Sequence, residues 1–259
     1  MDMLKYITLD KTASTNTTAA AMTADQAPHG TVVRALAQTA GRGQRGNHWL
    51  SEDGKNLLFS MVLRPQHWPV RHQFVLSMAV SVGLCRALRR ALPGHDVRIK
   101  WPNDIYVGNG KLVGILIENT LDGADIARSI AGIGINVNQT TFGPGAPNPV
   151  SMTQLTGRQY ALQPLLEDIC NDILTLIDNL SPAVAACGDT LPSAADALSR
   201  AYHAMLWRHD GQPHRWLDTT TLRMIDAAIV AVAPDGTLTM RLADGTQRRY
   251  RFKEIAAVL

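Results

Sequence analysis

Arg98-Ile99-Lys100-Trp101-Pro102-Asn103-Asp104 reads as a strand that stops abruptly. Pro102 holds Trp101 extended and ends the strand, and Pro-Asn-Asp then turns the chain. Lys100 therefore sits at the end of a segment otherwise bound for a core, where a Lys either snorkels to water or meets an anion. Downstream, Ile105-Tyr106-Val107, the turn Gly108-Asn109-Gly110 and the run Lys111 to Glu118 read as a hairpin. Lys111 poses the same question as Lys100, and Gly114 inside its strand suggests close approach of a ligand or another backbone. Further on, Gly132-Ile133-Gly134-Ile135-Asn136-Val137-Asn138 puts two glycines into a strand, which weakens it unless something packs on the bare backbone. Asn136 and Asn138 either serve a ligand or cap the turn.

Upstream lies Gly41-Arg42-Gly43-Gln44-Arg45-Gly46, formally the GxGxxG pattern. A dinucleotide fingerprint needs a helix after the loop, but Asn47 to Gly54 reads as turn chemistry followed by a strand. No Val-Ala-Ile-Lys, His-Arg-Asp or Asp-Phe-Gly follows, against a kinase, and the Gly-Lys-Ser/Thr of a phosphate-binding loop is missing. What remains is physical. Glycines let backbone N–H groups approach an anion, and two arginines add fork-shaped donors suited to phosphate or carboxylate. A solvated Arg/Gly turn is the plainer alternative.

Around these segments helices and strands mix. Leu4 to Leu9 and Thr31 to Ala37 read as strands, with a helix starting between Ser14 and Thr17 after N-cap residues. Asn56 to Leu63 is a strand stopped by Arg64-Pro65. Phe74, Val75, Met78, Val82, Cys85, Leu88 and Leu92 mark a buried helix ended by Pro93-Gly94. Ser129 to Val137 is a strand, and residues 139–150 form a Gly/Pro-rich loop long enough to suggest a function. Leu165 to Leu180 carries an amphipathic helix, Ala194 to Leu206 another, and from about Pro213 short strands alternate with turns. The class is α+β, divided into residues 1–212 and a β unit of residues 213–259.

Composition bounds the rest. The 259 residues are 46% hydrophobic and 18% charged, ordinary for a folded chain and against a disordered or fibrous one. A net charge of +3 is too weak alone to indicate a nucleic-acid partner. Only six of the 25 cationic residues are Lys, so each Lys invites a reason. Cys85, Cys170 and Cys187 show no CxxC spacing and read as free thiols in a reducing compartment. No secretory h-region or membrane-length apolar run is visible, so the expectation is a soluble, cytoplasmic protein with no membrane partner.

Taken together, Ser14-Thr15-Asn16, Gln38-Thr39-Ala40-Gly41-Arg42-Gly43, Lys100 to Asp104, Lys111 to Glu118 and Gly132 to Asn138 stand in the order and spacing of the biotin–protein ligases, which the chain resembles over essentially its whole length. The resemblance implies a mixed β-sheet backed by helices, like the class II synthetases, with a small C-terminal SH3-like β-barrel. It implies an enzyme that activates biotin with ATP and Mg²⁺ to biotinoyl-5′-AMP, releasing pyrophosphate, and passes biotin to a lysine of a carboxylase's biotin carboxyl carrier domain. Biotin contacts then fall on Ser14, Thr15, Asn16, Gln38, Gly41, Arg42, Gly43, Lys100, Gly114, Gly132 and Gly134. Adenylate or ATP contacts fall on Arg42, Gln44, Arg45, Trp49, Asn103, Lys111, Asn136 and Asn138. Lys100 and Arg42 carry catalysis, and no metal ligand is assigned. The residue chemistry agrees independently: a carboxylate attacking an α-phosphate brings two anions together, and positioned cations answer that need without a nucleophilic side chain. The loop at 139–150 is expected to act as a second clamp, over the adenine.

Many members read Gly-Arg-Gly-Arg where this chain has Gln44, which can donate hydrogen bonds but adds no charge. The Ser-Thr-Asn segment begins at residue 14, leaving no room for a winged helix-turn-helix, so a non-regulatory enzyme without DNA binding, a monomer or weak homodimer, is expected. The competing readings are a lipoate ligase or octanoyl transferase of the same fold, a nucleic-acid module using Arg241, Arg248, Arg249, Arg251 and Lys253, and a weak adenylate sink. Thin aromatic interleaving in the tail counts against the second.

Overall fold

The computed structural model describes residues 4–43, 46–145, 148–186 and 193–259. Gln44 and Arg45, both expected at the adenylate, and Cys187 lie outside the described residues, as do Ala146 and Pro147 of the Gly/Pro loop.

Seven strands form the main sheet: β1 (Lys5–Thr12), β2 (Thr31–Gln38), β3 (Leu57–Leu63), β4 (Val97–Lys100), β5 (Asp104–Val107), β6 (Gly110–Asp122) and β7 (Asp125–Ile135). Their order is β1-β2-β3-β7-β6-β5-β4. β1 and β2 run parallel and the other pairs antiparallel, so the sheet is mixed as the resemblance implied. The connection from β1 to β2 contains α1 (Thr15–Ala21), supplying the crossover that a parallel pair needs. β6 and β7 extend past the expected strands because Asp122-Gly123-Ala124-Asp125 closes them as a hairpin, with Gly123 at positive φ.

Strand alternation divides the sheet's faces. Leu57, Phe59, Met61 and Leu63 of β3, with Ala131, Ile133 and Ile135 of β7, join one large apolar core. α2 (Gln73–Ala91) and α4 (Leu162–Ala186) supply its other side. The two helices touch closely at Gly83, where an added Cβ would lie 3.0 Å from the Ile173 backbone. Burying each large aliphatic side chain stabilises the fold by about 1.5–3 kcal/mol. On the opposite face a smaller cluster, Ala19, Ala27, Val33, Val62 and Ile130, seats α1 at one end of the sheet. Among the described residues, loops and the second sheet line a cavity over the remainder of that face.

The loop after Ile135 contains a short helix that the sequence reading passed over, α3 (Met152–Thr156). It carries a capping box: Ser151 accepts from the Gln154 amide while the Gln154 side chain accepts from the Ser151 amide, and Gly157 closes the far end at φ 72°. α5 (Ser193–Ala204) then leads to a five-stranded antiparallel sheet of β8 (His214–Asp218), β9 (Arg223–Val232), β10 (Leu238–Leu242), β11 (Gln247–Tyr250) and β12 (Ile255–Ala257), in the order β11-β10-β9-β8-β12. This second sheet is consistent with an SH3-like unit. It is tied to the first part of the chain by aromatic contacts. The Trp101 indole donates to the Gly236 carbonyl (3.0 Å) and meets Phe252 edge-on at 5.3 Å, and Phe74 meets Phe252 at 6.0 Å. Among the described residues no helix is long and apolar enough to cross a membrane.

Candidate functional site

The face of the main sheet opposite the large core floors this cavity, whose volume is about 770 Å³. Register explains the floor. Gly134 of β7 stands between Leu58 of β3 and Gly114 of β6, and Gly132 stands between Ser60 and Leu116. Small residues therefore stand side by side on adjacent strands, Gly134 beside Gly114 and Gly132 beside Ser60, and neighbouring groups descend onto the bare backbone. A Cβ on Gly132 would lie 2.1 Å from Asn16 Oδ1, and Cβ atoms on Gly134 and Gly114 would lie 2.4 and 2.7 Å from the Trp49 indole. The three glycines do line the cavity. Their immediate effect is to let the Asn16 amide and the Trp49 ring reach the sheet.

The Ser-Thr-Asn segment enters at the start of α1, and Ser14, Thr15 and Asn16 are all buried and on the cavity wall. Gln38 Oε1 accepts from the Thr15 amide (2.7 Å) and hydroxyl (3.2 Å), joining the end of β2 to the helix. Ser60, wholly buried in an apolar strand, donates to Asn16 Oδ1 (2.6 Å), and its oxygen is 2.7 Å from Thr15 Oγ1. Asn16 Nδ2 donates to Glu118 Oε2 (2.7 Å), and Arg42 Nη2 donates to that same oxygen (2.6 Å). Neither Ser60 nor Glu118 was singled out from sequence. A Ser in a strand and a Glu at a strand's wet end carry no local signal, and only the pairing register brings them to Asn16.

The cationic side of the cavity comes from the hairpin. Val97 and Ile99 join the main core, so alternation turns Lys100 to the cavity face. Its ammonium lies 5.0 Å from the Tyr106 ring centroid and has no carboxylate at ion-pair distance among the described residues. Burial holds its pKa below the usual lysine value; Lys111 and Arg208 lower it further, and Asp104 opposes them. Lys111 pairs with Asp104 at 2.7 Å, and both line the cavity. The Trp101–Pro102 peptide is cis. Asn103 faces the cavity but is buried, with Nδ2 donating to the Ile115 carbonyl (2.9 Å), so it ties the turn to β6.

The Gly/Arg loop folds back on itself: the Gly43 amide donates to Asn47 O (2.7 Å) and the Trp49 amide to Gly41 O (2.9 Å). Arg42, Gly43 and Trp49 line the cavity. The Trp49 Nε1 is buried without an acceptor among the described residues, a donor left over where a ligand carbonyl or phosphate oxygen would satisfy it. Phe142, Gly145 and Pro149 of the Gly/Pro loop also reach the wall, as do Trp216, Lys253 and Ile255 to Ala257 of the second sheet. The sequence reading gave the tail no part in the site.

Two of the expected contact residues stand apart from the others. Gly41 borders an adjoining hollow that shares Gln38, Trp49 and Phe142 with the main cavity, and it passes so close to the Trp49 carbonyl that a Cβ would lie 2.5 Å from that oxygen. Asn138 faces away. Its side chain bridges Tyr160, donating to the carbonyl (2.9 Å) and accepting from the amide (2.9 Å), and so fixes the segment after α3. Asn136 does reach the cavity, buried, with Nδ2 donating to the Lys111 carbonyl (3.2 Å). The arrangement thus joins a closed polar corner to cations and an aromatic lid. It is suited to a ligand with an amide-like head and an anionic end.

Comparison with known proteins agrees with this geometry. Residues 9–136 match the profile of the Biotin/lipoate A/B protein ligase family. The bifunctional ligase/repressor BirA of Bacillus subtilis is 39% identical over 130 residues, covering 50% of this chain and 39% of that protein. A biotin–[acetyl-CoA-carboxylase] ligase of Paracoccus denitrificans is 37% identical over 137 residues, covering 51% of this chain and 55% of the relative. The chain thus spans about half or less of these curated relatives' length. Among solved structures, the biotin protein ligase of Aquifex aeolicus in complex with biotin and ATP aligns with a TM-score of 0.77 at 22% identity, over 97% of both chains. The enzyme from Leishmania major in complex with biotinyl-5-AMP aligns with a TM-score of 0.62 at 20% identity, over 95% of this chain and 98% of the other. These likenesses establish the fold.

Proposed function

We propose, from the match of residues 9–136 to the Biotin/lipoate A/B protein ligase family, that this chain is an ATP-dependent biotin–protein ligase. The observation that carries the reading is the convergence of Arg42, Lys100 and Lys111 on one cavity that ends in the buried Ser14-Thr15-Asn16 corner. Biotin's fused ring system, with its ureido group, enters that corner, where hydroxyl and amide groups supply both donors and acceptors. Its carboxylate then lies toward Lys100.

In the first step a carboxylate oxygen attacks the α-phosphorus of ATP. The new C–O–P linkage forms as the bond to the β-phosphate's bridging oxygen breaks, and pyrophosphate leaves. Two anions must approach, so Lys100 and the Arg42 fork offset their repulsion in a low-dielectric site. Lys111, steered by Asp104, holds phosphate oxygens. Trp49 and the Phe142 segment cover the mixed anhydride against water. In the second step the acceptor lysine's neutral amine attacks the acyl carbonyl, an amide forms, AMP departs, and the amine's proton passes to solvent. Among the described residues no three His, Cys, Asp or Glu side chains cluster to hold a metal. Mg²⁺ keeps several waters and binds through few carboxylates plus substrate phosphates, and Asp104 fits that pattern as the described carboxylate on the wall. When bound it would supply charge neutralisation of the triphosphate.

The acceptor in this reading is the biotin carboxyl carrier domain of a carboxylase. Nucleic acid is left out of it, and two arginines of the basic tail have carboxylate partners of their own, Arg248 with Asp218 (2.7 Å) and Arg249 with Asp235 (4.0 Å). The test is ATP-dependent labelling of a purified carrier domain. Biotin should give label and stoichiometric pyrophosphate, with lipoate failing to compete. Labelling by lipoate, or no biotin-dependent pyrophosphate, would overturn the reading.

A further inference from the structure

The hydrogen bonds at the cavity's polar corner form one unbroken line, from the buried strand β3 to the Gly/Arg loop. Ser60 donates to Asn16 Oδ1 (2.6 Å), Asn16 Nδ2 donates to Glu118 Oε2 (2.7 Å), and Arg42 Nη2 donates to that oxygen too (2.6 Å). Gly132 makes the middle link possible, because only a residue without Cβ leaves room for the Asn16 amide above β7. Glu118 is where the line leaves the core. Its side chain is 40% exposed and that of Arg42 is 44% exposed, so as an isolated ion pair it would contribute little. Its geometry matters more: a single carboxylate oxygen is shared between the pocket's asparagine and the loop's arginine.

We propose that Glu118 is a positioning residue that couples the polar corner to the Gly/Arg loop, orienting Asn16 for biotin and holding one edge of the Arg42 guanidinium so that its remaining donors face the cavity. This rests on the ligase reading. A guanidinium has five N–H donors in a fixed fork, and the contact to Glu118 uses Nη2, leaving the Nε and Nη1 donors for the anionic end of the substrate. A ligand that shifts Asn16 alters an acceptor on which Arg42 also depends, so occupancy of the corner and posture of the loop are linked through a shared atom. The Glu118 links to Asn16 and to Arg42 differ chemically. A neutral amide oxygen still accepts from Asn16, through a weaker bond, whereas Arg42 loses its charge partner altogether.

That difference supplies the test. Glu118→Gln and Glu118→Ala are compared with the parent for biotin affinity by calorimetry, for the rate of biotin-dependent pyrophosphate release, and for hydrogen exchange of residues 41–50 in the ligand-free chain. Glu118→Gln should keep biotin affinity within about twofold, lower the maximal pyrophosphate rate about tenfold, and speed exchange in the loop. Glu118→Ala should lose about tenfold in biotin affinity as well. A purely structural role would move affinity and rate together in both variants. Equal losses of affinity in the two variants, or parent-like affinity and rate in both, overturn the proposal. Loop exchange unchanged by Glu118→Gln also overturns it. The exchange readout needs no turnover, so a parent chain without biotin-dependent pyrophosphate release refutes the ligase reading while the coupling is still tested.

Discussion

The two faces of the main sheet are made from the same strands and do opposite things. On β7, Ala131, Ile133 and Ile135 join a core closed by two long helices, while Gly132 and Gly134 between them leave the other face bare. On β3, Phe59 and Met61 pack inward and Ser60 between them turns its hydroxyl to Asn16. Stability and recognition are thus separated by a single residue step along a strand, because successive side chains leave on opposite sides. The core face tolerates nothing smaller without a void. On the ligand face, at the glycines, anything larger displaces the groups that descend onto the backbone.

The largest effect that would test this division belongs to the ligand face. Lys100→Ala should lower biotin-dependent pyrophosphate release about 10²–10³-fold, the scale of removing one preorganised charge contact, with the thermal midpoint nearly unmoved; steady-state rates and a melt decide it. Next is a matched pair on β7. Gly132→Val should weaken biotin binding about 10–100-fold by pushing Asn16 aside, at little cost to folding. Ile135→Ala, on the core face, should cost about 2–5 kcal/mol of stability while the folded chain keeps its biotin affinity. Calorimetry and denaturant titration of both variants would break the comparison if the two effects came out exchanged.

The smallest effect is in pH. Burial lowers the Lys100 pKa from its ordinary 10.5, and the charged form is the one that serves the anions. The rate per enzyme at low substrate should therefore fall as pH rises through that lowered value, earlier than an ordinary lysine would allow, and Lys100→Arg should move the alkaline limb upward. The stability linkage has the opposite sense. Between the lowered value and 10.5 the unfolded chain binds more protons than the folded one, so Lys100 contributes a rise in stability with pH across that window. An alkaline limb identical in parent and Lys100→Arg would detach Lys100 from the chemistry.

Much of the architecture was legible because it is local. The apolar spacing from Phe74 to Leu88 and from Leu165 to Leu180 is a helical period that needs no tertiary context, and both helices are present. α3 is equally marked by the Ser151–Gln154 capping box, but its five residues, just beyond the loop of residues 139–150, are too few to show a helical period. The site was legible in part. Asn136 and Asn138 are identical in type and two apart, and no local rule says that one reaches the cavity while the other is held by Tyr160. Glu118 and Ser60 belong to the same corner although they are far apart in sequence and ordinary in place.

Residue type and spacing by themselves determined the helices, most of the strands, and the cations that meet at one end of a hairpin. These follow from dihedral preference, side-chain period and turn chemistry, all set within a few residues. Tertiary structure alone decided which strands neighbour one another, and therefore that Ser60, Gly132 and Leu116 lie in one row under Asn16. It also decided that Trp216, Lys253 and β12 close the cavity from the second sheet, through the Trp101–Phe252 contact. Pairing across a sheet and docking between sheets are settled by burial and hydrogen-bond satisfaction over the whole chain. That sum has no local trace at any one of the residues it brings together.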